Sequence, residues 1–191
     1  MTVGGILLTG GASRRLGVDK ATLVVDGVTL AARAATSLTD RGIVTVEVGP
    51  GYTVMPAVRE DPPGTGPLAG FVTGARALAA ADGVAPDSFV LLACDLVDPG
   101  AVLDALLAAP PADLVVPVDA DGAPQYVCAR YGAALVDVAA ALLAAGERSL
   151  RALAATVPAD RRHDVAGLPP DSLADVDTPA DALRWGVEPP R

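Results

Sequence analysis

Lysine occurs once in this chain, at position 20, where it closes the loop Gly10-Gly11-Ala12-Ser13-Arg14-Arg15-Leu16-Gly17-Val18-Asp19-Lys20. Every other cationic side chain is an arginine. An ammonium on a flexible stem is a point charge with three donors, and glycine leaves the neighbouring backbone amides uncovered. With Arg14 and Arg15 beside it, this is chemistry suited to holding a polyphosphate. A surface turn with one chance lysine would use the same residues. The hydrophobic run Ile6-Leu7-Leu8 leading into the loop, and the paired arginines, favour phosphate.

Two familiar glycine motifs are excluded. Ala21 follows Lys20, and Gly17 stands three residues before it, so the Gly-Lys-Ser/Thr ending of a Walker loop and its metal-binding hydroxyl are missing. Gly10, Gly11 and Gly17 are also spaced too widely for a dinucleotide fingerprint. What remains is a longer loop, able to wrap a triphosphate.

The elements around it follow from pattern. Val3–Thr9, Ile43–Val48, Ala57–Glu60 and Phe89–Cys94 read as strands. Helices are predicted from Thr29 through Leu38, across Phe71–Ala80, from Pro99, near 133–145 and 149–156, and after Thr178-Pro179. Leu23–Val25 ends in an Asp26-Gly27 turn, and Asp119–Gly122 turns between extended runs at Leu114–Val118 and Gln125–Arg130. Strand, loop and helix repeat through the first half. This predicts an α/β fold of three layers, α/β/α, around a mostly parallel sheet, Rossmann-like, as one domain over residues 1–191. Such sheets collect ligands outside the carboxyl ends of their strands. The Gly10–Lys20 loop, Asp61 and Asp95 each follow a predicted strand and so share one edge.

Bulk composition narrows the class. The 191 residues are 51% hydrophobic and 3% aromatic, enough for a sizeable core built from Ala, Val and Leu. No apolar stretch reaches membrane-spanning length, and the first residues lack a signal peptide's basic patch and cleavage site, so we expect a cytoplasmic protein. Cys94 and Cys128 fit no metal-ligand spacing and read as reduced core. A net charge of −9 argues against nucleic-acid and membrane surfaces. It also means that an anionic ligand needs its cations concentrated, as Arg14, Arg15 and Lys20 are.

Leu8-Thr9-Gly10-Gly11 with Arg15, Gly17, Asp19 and Lys20 resembles the signature of the nucleotidyltransferases that use nucleoside triphosphates. The likeness continues in Arg59-Glu60-Asp61, Gly66-Pro67-Leu68-Ala69-Gly70, Cys94-Asp95, Gly146-Glu147-Arg148-Ser149 and Asp175-Val176-Asp177-Thr178-Pro179. In that order the pieces are most similar to the molybdenum cofactor guanylyltransferases. The resemblance implies transfer of GMP from GTP to the phosphate of molybdenum-loaded molybdopterin, with pyrophosphate leaving and Mg2+ as the metal. It implies Lys20, Arg15 and Asp95 as catalytic groups. Leu8, Thr9, Gly10, Gly11, Ser13, Arg14, Lys20, Asp61, Gly66 and Asp95 would hold the nucleotide. Asp95 and Asp177 would hold the metal.

The chemistry is consistent with those residue types. A phosphate approaching a triphosphate sets two anions against each other, so positive charge and in-line positioning are needed. A hard cation takes carboxylate oxygens, and Asp98 is free to cap the helix at Pro99, which leaves Asp95 for metal. Asp175 and Asp177 alternate along an extended segment, and we expect only one of them to face the site. Asp177 has a second reading, as the cap of the helix at Pro179. Asp61 is read against a loop-opening role before Pro62-Pro63, and Ser13 against a local turn bond. The Thr9 hydroxyl, where the family usually has alanine, either meets nucleotide or satisfies itself locally. Gln125-Tyr126 departs from the family's Gln-Pro on the pterin side. His163, the only histidine, reads as a surface residue, since an ionised acceptor phosphate needs no general base. Trp185 reads as core.

Three other readings share these residues. The first is the same chemistry on another base or acceptor: a molybdopterin cytidylyltransferase, or a sugar-phosphate or phospholactate nucleotidyltransferase. The second is a non-catalytic nucleotide-binding module, against which Lys20 and Asp95 speak. The third, a kinase, lacks its loop motif. Transient contact with cofactor-delivery proteins is expected of the leading reading.

Overall fold

The computed structural model describes residues 2–10, 19–81 and 85–188. In chain order the elements are β1 (Val3–Leu8), β2 (Val24–Val25), β3 (Val28–Thr29), α1 (Leu30–Thr39), β4 (Val44–Val48), β5 (Ala57–Val58), α2 (Pro67–Ala81) and β6 (Ser88–Ala93). They continue with α3 (Gly100–Ala108), β7 (Leu114–Pro117), β8 (Cys128–Gly132), α4 (Leu135–Ala144), α5 (Leu150–Ala155), β9 (Arg162–Val165) and α6 (Pro179–Arg184). Single 3-10 turns stand at Lys20–Thr22 and Ala159–Arg161.

Seven strands form one sheet in the order β5-β4-β1-β6-β8-β7-β9. All neighbours are parallel except β8, which runs antiparallel to both β6 and β7. Chain order departs from β1 in both directions, to β4 on one side and β6 on the other. A crevice opens where strand order diverges in this way, beyond the carboxyl ends of the strands.

The alternation of strand side chains explains the layers. Ile6, Phe89, Leu91, Leu114 and Val116 face α2, α4 and α5 on one side of the sheet. Leu7, Val90, Leu92 and Val115 face α1 and α3 on the other. Both faces are covered, so these strands read as unbroken hydrophobic runs. The few aromatics concentrate in the first layer, where the Phe71 ring lies 4.9 Å from that of Tyr131 and 6.1 Å, edge-on, from that of Phe89. At Gly74 of α2 a Cβ would fall 2.6 Å from Ile6, so only glycine lets this helix sit so close on β1.

A third, smaller cluster has functional weight. Leu23, Val25, Leu30, Val97 and Val176 pack together, with the half-buried Trp185 against them. The β2–β3 hairpin turns through Asp26 and Gly27, both at positive φ, as a two-residue hairpin requires. The chain end pairs with it through Val24 N–H to Glu188 O at 2.9 Å and the reciprocal bond at 2.8 Å.

Several expected elements shift. Ala57–Glu60 supplies only a two-residue strand, and Gln125–Arg130 becomes a strand only from Cys128 onward. His163 lies on the edge strand β9, half-buried, rather than on a free surface stretch. The Asp119–Gly122 turn is present, with Asp119 N–H donating to Ala123 O at 3.0 Å. No helix among the described residues is long and apolar enough to cross a membrane.

Candidate active site

β1 and β6 end side by side, with Cys94 N–H donating to Leu8 O at 3.1 Å. Beyond their ends lies a cleft of about 450 Å3, lined among others by Leu8, Gly10, Asp19, Lys20, Glu60, Gly66 and Asp95. That volume falls within the usual range for small-molecule sites.

Lys20 enters this cleft from its own short turn. Asp19 caps the turn, its Oδ1 accepting from Ala21 N–H at 3.1 Å. The Lys20 ammonium donates to Asp95 Oδ2 at 2.9 Å and also to Asp177 Oδ1. Burial works against the charged lysine, but the hydrogen bonds and fields of Asp177 and Asp95 outweigh it and raise its pKa.

Backbone pairing brings the acidic groups together. Val97 N–H donates to Ala174 O at 3.0 Å and Val176 N–H to Asp95 O at 3.2 Å, a short antiparallel bridge between Leu96 and Asp175. Val176 is wholly buried. Residues two apart on an extended segment share a face, so Asp175 and Asp177 both emerge opposite Val176. This corrects the expectation that only one of them faces the site. Carboxylate oxygens of Asp95, Asp175 and Asp177 lie within 4.8 Å of one another. Asp175, although exposed, is pushed above the usual carboxylate range, by partial desolvation first and then by Asp177 and Asp95.

Asp177 is not the helix cap. Thr178 caps α6, its hydroxyl accepting from Asp181 N–H at 3.2 Å while Asp181 Oδ2 accepts from Thr178 N–H at 2.8 Å. Asp98 Oδ1 accepts from Gly100 N–H at 3.1 Å, but the cap position of α3 is Pro99, without a side-chain bond, so Asp98 steadies the helix start from one residue outside it. Asp95 lines the cleft.

Other expected site residues fall differently. Gly66, at φ +105°, lines the cleft and accepts from Gly70 N–H at 3.1 Å to open α2. Asp61 does not line it: Asp61 sits on an adjoining recess with Arg76 and Arg148, and its neighbour Glu60 joins Asp19 and Asp95 on the cleft wall. Glu60 borders both the cleft and this recess, whereas Asp61 borders the recess alone. Gly11, Ser13, Arg14 and Arg15 lie outside the described residues. Burial pushes the thiols of Cys94 and Cys128 up to about 12, so neither is a thiolate at neutral pH. His163 is not among the residues lining the cleft.

Thr9 has its local explanation in a residue that pattern reading passed over. Glu47 is wholly buried on β4 and accepts the Thr9 hydroxyl at 2.6 Å. The Thr9 N–H is donated to Val48 O at 3.1 Å, so both of its donors are used within the protein, while the residue itself stands on the cleft wall. Glu47 Oε1 also accepts from Gly51 N–H at 2.9 Å and Tyr52 N–H at 2.7 Å. Its Oε2 accepts from Thr53 N–H at 2.9 Å and the Thr53 hydroxyl at 2.8 Å. Burial alone would raise this carboxyl, but the five bonds, Thr9's foremost, hold it below the ordinary range. The only signal in the sequence is an acid where the hydrophobic run Val44–Val48 should be inward-facing.

Three hard oxygen donors within reach of one ion suit magnesium, whose opposite ligands stand about 4.2 Å apart. The donor set therefore fits the metal that the resemblance implies.

Residues 5–164 match the model of the MobA-like NTP transferase domain. A Mycobacterium marinum protein named "Probable molybdenum cofactor guanylyltransferase" is 33% identical, covering 95% of this chain and 92% of its own. The Rhodobacter capsulatus "Molybdenum cofactor guanylyltransferase" is 32% identical, covering 96% and 95%. Among solved structures, the Archaeoglobus fulgidus "Molybdopterin-guanine dinucleotide biosynthesis protein A" superposes with a TM-score of 0.69 at 21% identity, over 97% of this chain and 96% of that one, a likeness of fold. With Lys20 and Asp95 meeting in one cleft beyond a strand-order switch, and with relatives of this identity over nearly its whole length, the chain belongs to the MobA-like NTP transferase family, alongside the molybdenum cofactor guanylyltransferases.

Proposed function

We propose that this protein transfers GMP from GTP to the terminal phosphate of molybdenum-loaded molybdopterin. An oxygen of the acceptor phosphate forms a bond to the α-phosphorus of GTP. The bond from that phosphorus to the α–β bridging oxygen breaks, and pyrophosphate leaves with the electron pair. The observation that supports this best is the meeting of Lys20 with Asp95 and Asp177 at the cleft mouth.

The roles follow from charge. Lys20 exchanges a carboxylate partner for a phosphate oxygen when nucleotide enters, and neutralises charge on the departing pyrophosphate. Arg14 and Arg15, with the Gly10-Gly11 amides and the Ser13 hydroxyl, complete the phosphate loop. Asp95 and Asp177, with Asp175, would hold Mg2+, which when bound would draw charge from the phosphates. The acceptor phosphate is already ionised near neutral pH, so no side chain need remove a proton. Gly66 bounds the nucleotide cleft, and Asp61 stands near it on the neighbouring recess. We place the reaction in the cytoplasm, with transient contact to proteins that deliver or receive the cofactor.

The test supplies each labelled triphosphate with magnesium and molybdopterin and follows pyrophosphate and product mass. Release with GTP, and a product heavier by one guanylate, is expected. Release with CTP but not GTP overturns the guanine assignment. A product heavier by one phosphate overturns nucleotidyl transfer altogether. Tight GTP binding without turnover would instead make the protein a binding module.

A further inference from the structure

Beyond its five bonds, Glu47 stands at the start of a longer chain of contacts. It fixes the loop 49–53, and Tyr52 of that loop donates its hydroxyl to Asp19 Oδ2 at 2.6 Å. The other oxygen of Asp19 caps the turn that begins with Lys20. We propose that Glu47 is a positioning residue of the nucleotide site, setting the stance of Lys20 through Tyr52 and Asp19. The proposal rests on the phosphate role given to Lys20 above.

The plainer role for Glu47 is to close its own loop. Three observations take it further. First, the loop it holds is part of the site's wall: Gly49 and Pro50 share a recess of about 250 Å3 with Gly10, Asp19, Glu60 and Gly64, four residues that also line the cleft. Second, Tyr52 is 38% exposed, yet its hydroxyl meets a carboxylate on a different element at 2.6 Å. Third, Glu47 also grips the end of β1: at Gly49 a Cβ would lie 2.1 Å from Thr9 Oγ1, so the strand ends meet where Thr9 reaches Glu47. A buried carboxylate is costly unless every lone pair is used, and one satisfied by five fixed donors tolerates a single arrangement of them. The strand end, the loop and the lysine turn are thereby held in one register.

The experiment is a double-mutant cycle read by GTP titration calorimetry with magnesium, with kcat and KM measured alongside. Tyr52→Phe removes one hydroxyl from an exposed ring. It should leave the melting temperature unchanged and weaken GTP binding about three- to ten-fold. In a Lys20→Met background the same change should have no further effect, because its path runs through Lys20. Tyr52→Phe with wild-type affinity, or with an equal loss in both backgrounds, overturns the proposal. Lys20→Met without effect on affinity or turnover overturns the phosphate role itself, which separates the two failures. Glu47→Gln, which turns an amide NH2 toward N–H donors, should lose more affinity than Tyr52→Phe and not add to it, whereas additive losses overturn the link. If Glu47→Gln does not fold, the Tyr52 and Lys20 cycle decides alone.

Discussion

The two ends of the central sheet handle charge in opposite ways. At the carboxyl end of β1 and β6, one ammonium faces three carboxylates, two of them bonded to it, and Asp175 is pushed toward its neutral form. At the other end a larger hollow, about 640 Å3, opens between Asp87, Asp113, Gly132 and Arg161. There Asp87, Asp113 and Arg161 each have a settled partner. Asp113 pairs with Arg161 at 2.9 Å, and Asp87 accepts from Thr2 N–H at 2.6 Å. Two residues along β8 from Gly132, the buried Arg130 donates to Ala109 O and Pro110 O, just past the end of α3. A cation at a helix carboxyl end is favourable in itself. Size does not distinguish the site. Crowded like charges do, because they persist where a ligand will settle them.

The contrast can be broken most forcefully at Lys20. Lys20→Met or Asp95→Asn should lower turnover by roughly 10²–10⁴, measured as pyrophosphate release, with the fold intact by circular dichroism. The opposite end should answer in stability instead. Arg130→Ala leaves a cavity and two bereft carbonyls, so unfolding in urea should show a loss of about 3 kcal/mol. The specific activity of the folded fraction should not change.

Asp175 sharpens the comparison through pH. Its folded pKa is raised, so ionising it costs the folded state stability. That cost is absent below the ordinary aspartate range near about 3.9 and complete above the raised folded value. Asp175→Asn should therefore raise the melting temperature of metal-free protein at pH 7, with the gain vanishing as pH falls through that window. The same variant should bind Mn2+ about ten-fold more weakly. A rise without the weaker metal binding would remove Asp175 from the metal site. The smallest effect is expected from Asp113→Ala at the far end: under about 1 kcal/mol in stability, and no change in kcat/KM.

Local pattern made much of this legible. Phe89–Cys94 reads as a strand because six apolar residues, Phe, Val, Leu, Leu, Ala and Cys, run unbroken there, and β6 occupies Ser88–Ala93. Polar Arg162-His163-Asp164 does not read as a strand, yet β9 forms there, because an edge strand keeps one side in water and tolerates charge. Glu47 escaped notice because an acid in a strand is ordinarily a solvent-facing residue. Only the loop that folds back over it supplies the donors that make it buried. Asp61 and Glu60 are neighbours of like chemistry, and only the folded chain shows that Glu60 borders the cleft while Asp61 borders the recess beside it.

The order of residues sufficed for the layered α/β plan, the lone ammonium at position 20 and the acid after β6, because each depends on periodicity or spacing within a few positions. Which carboxylates stand around that ammonium was settled only by the fold. Asp175 and Asp177 are 80 or more positions from Asp95, and they arrive because Val97 and Val176 bury together while their N–H groups bond to Ala174 O and Asp95 O beside it. Contacts of that range depend on the whole core closing at once, and no local stretch of sequence encodes them.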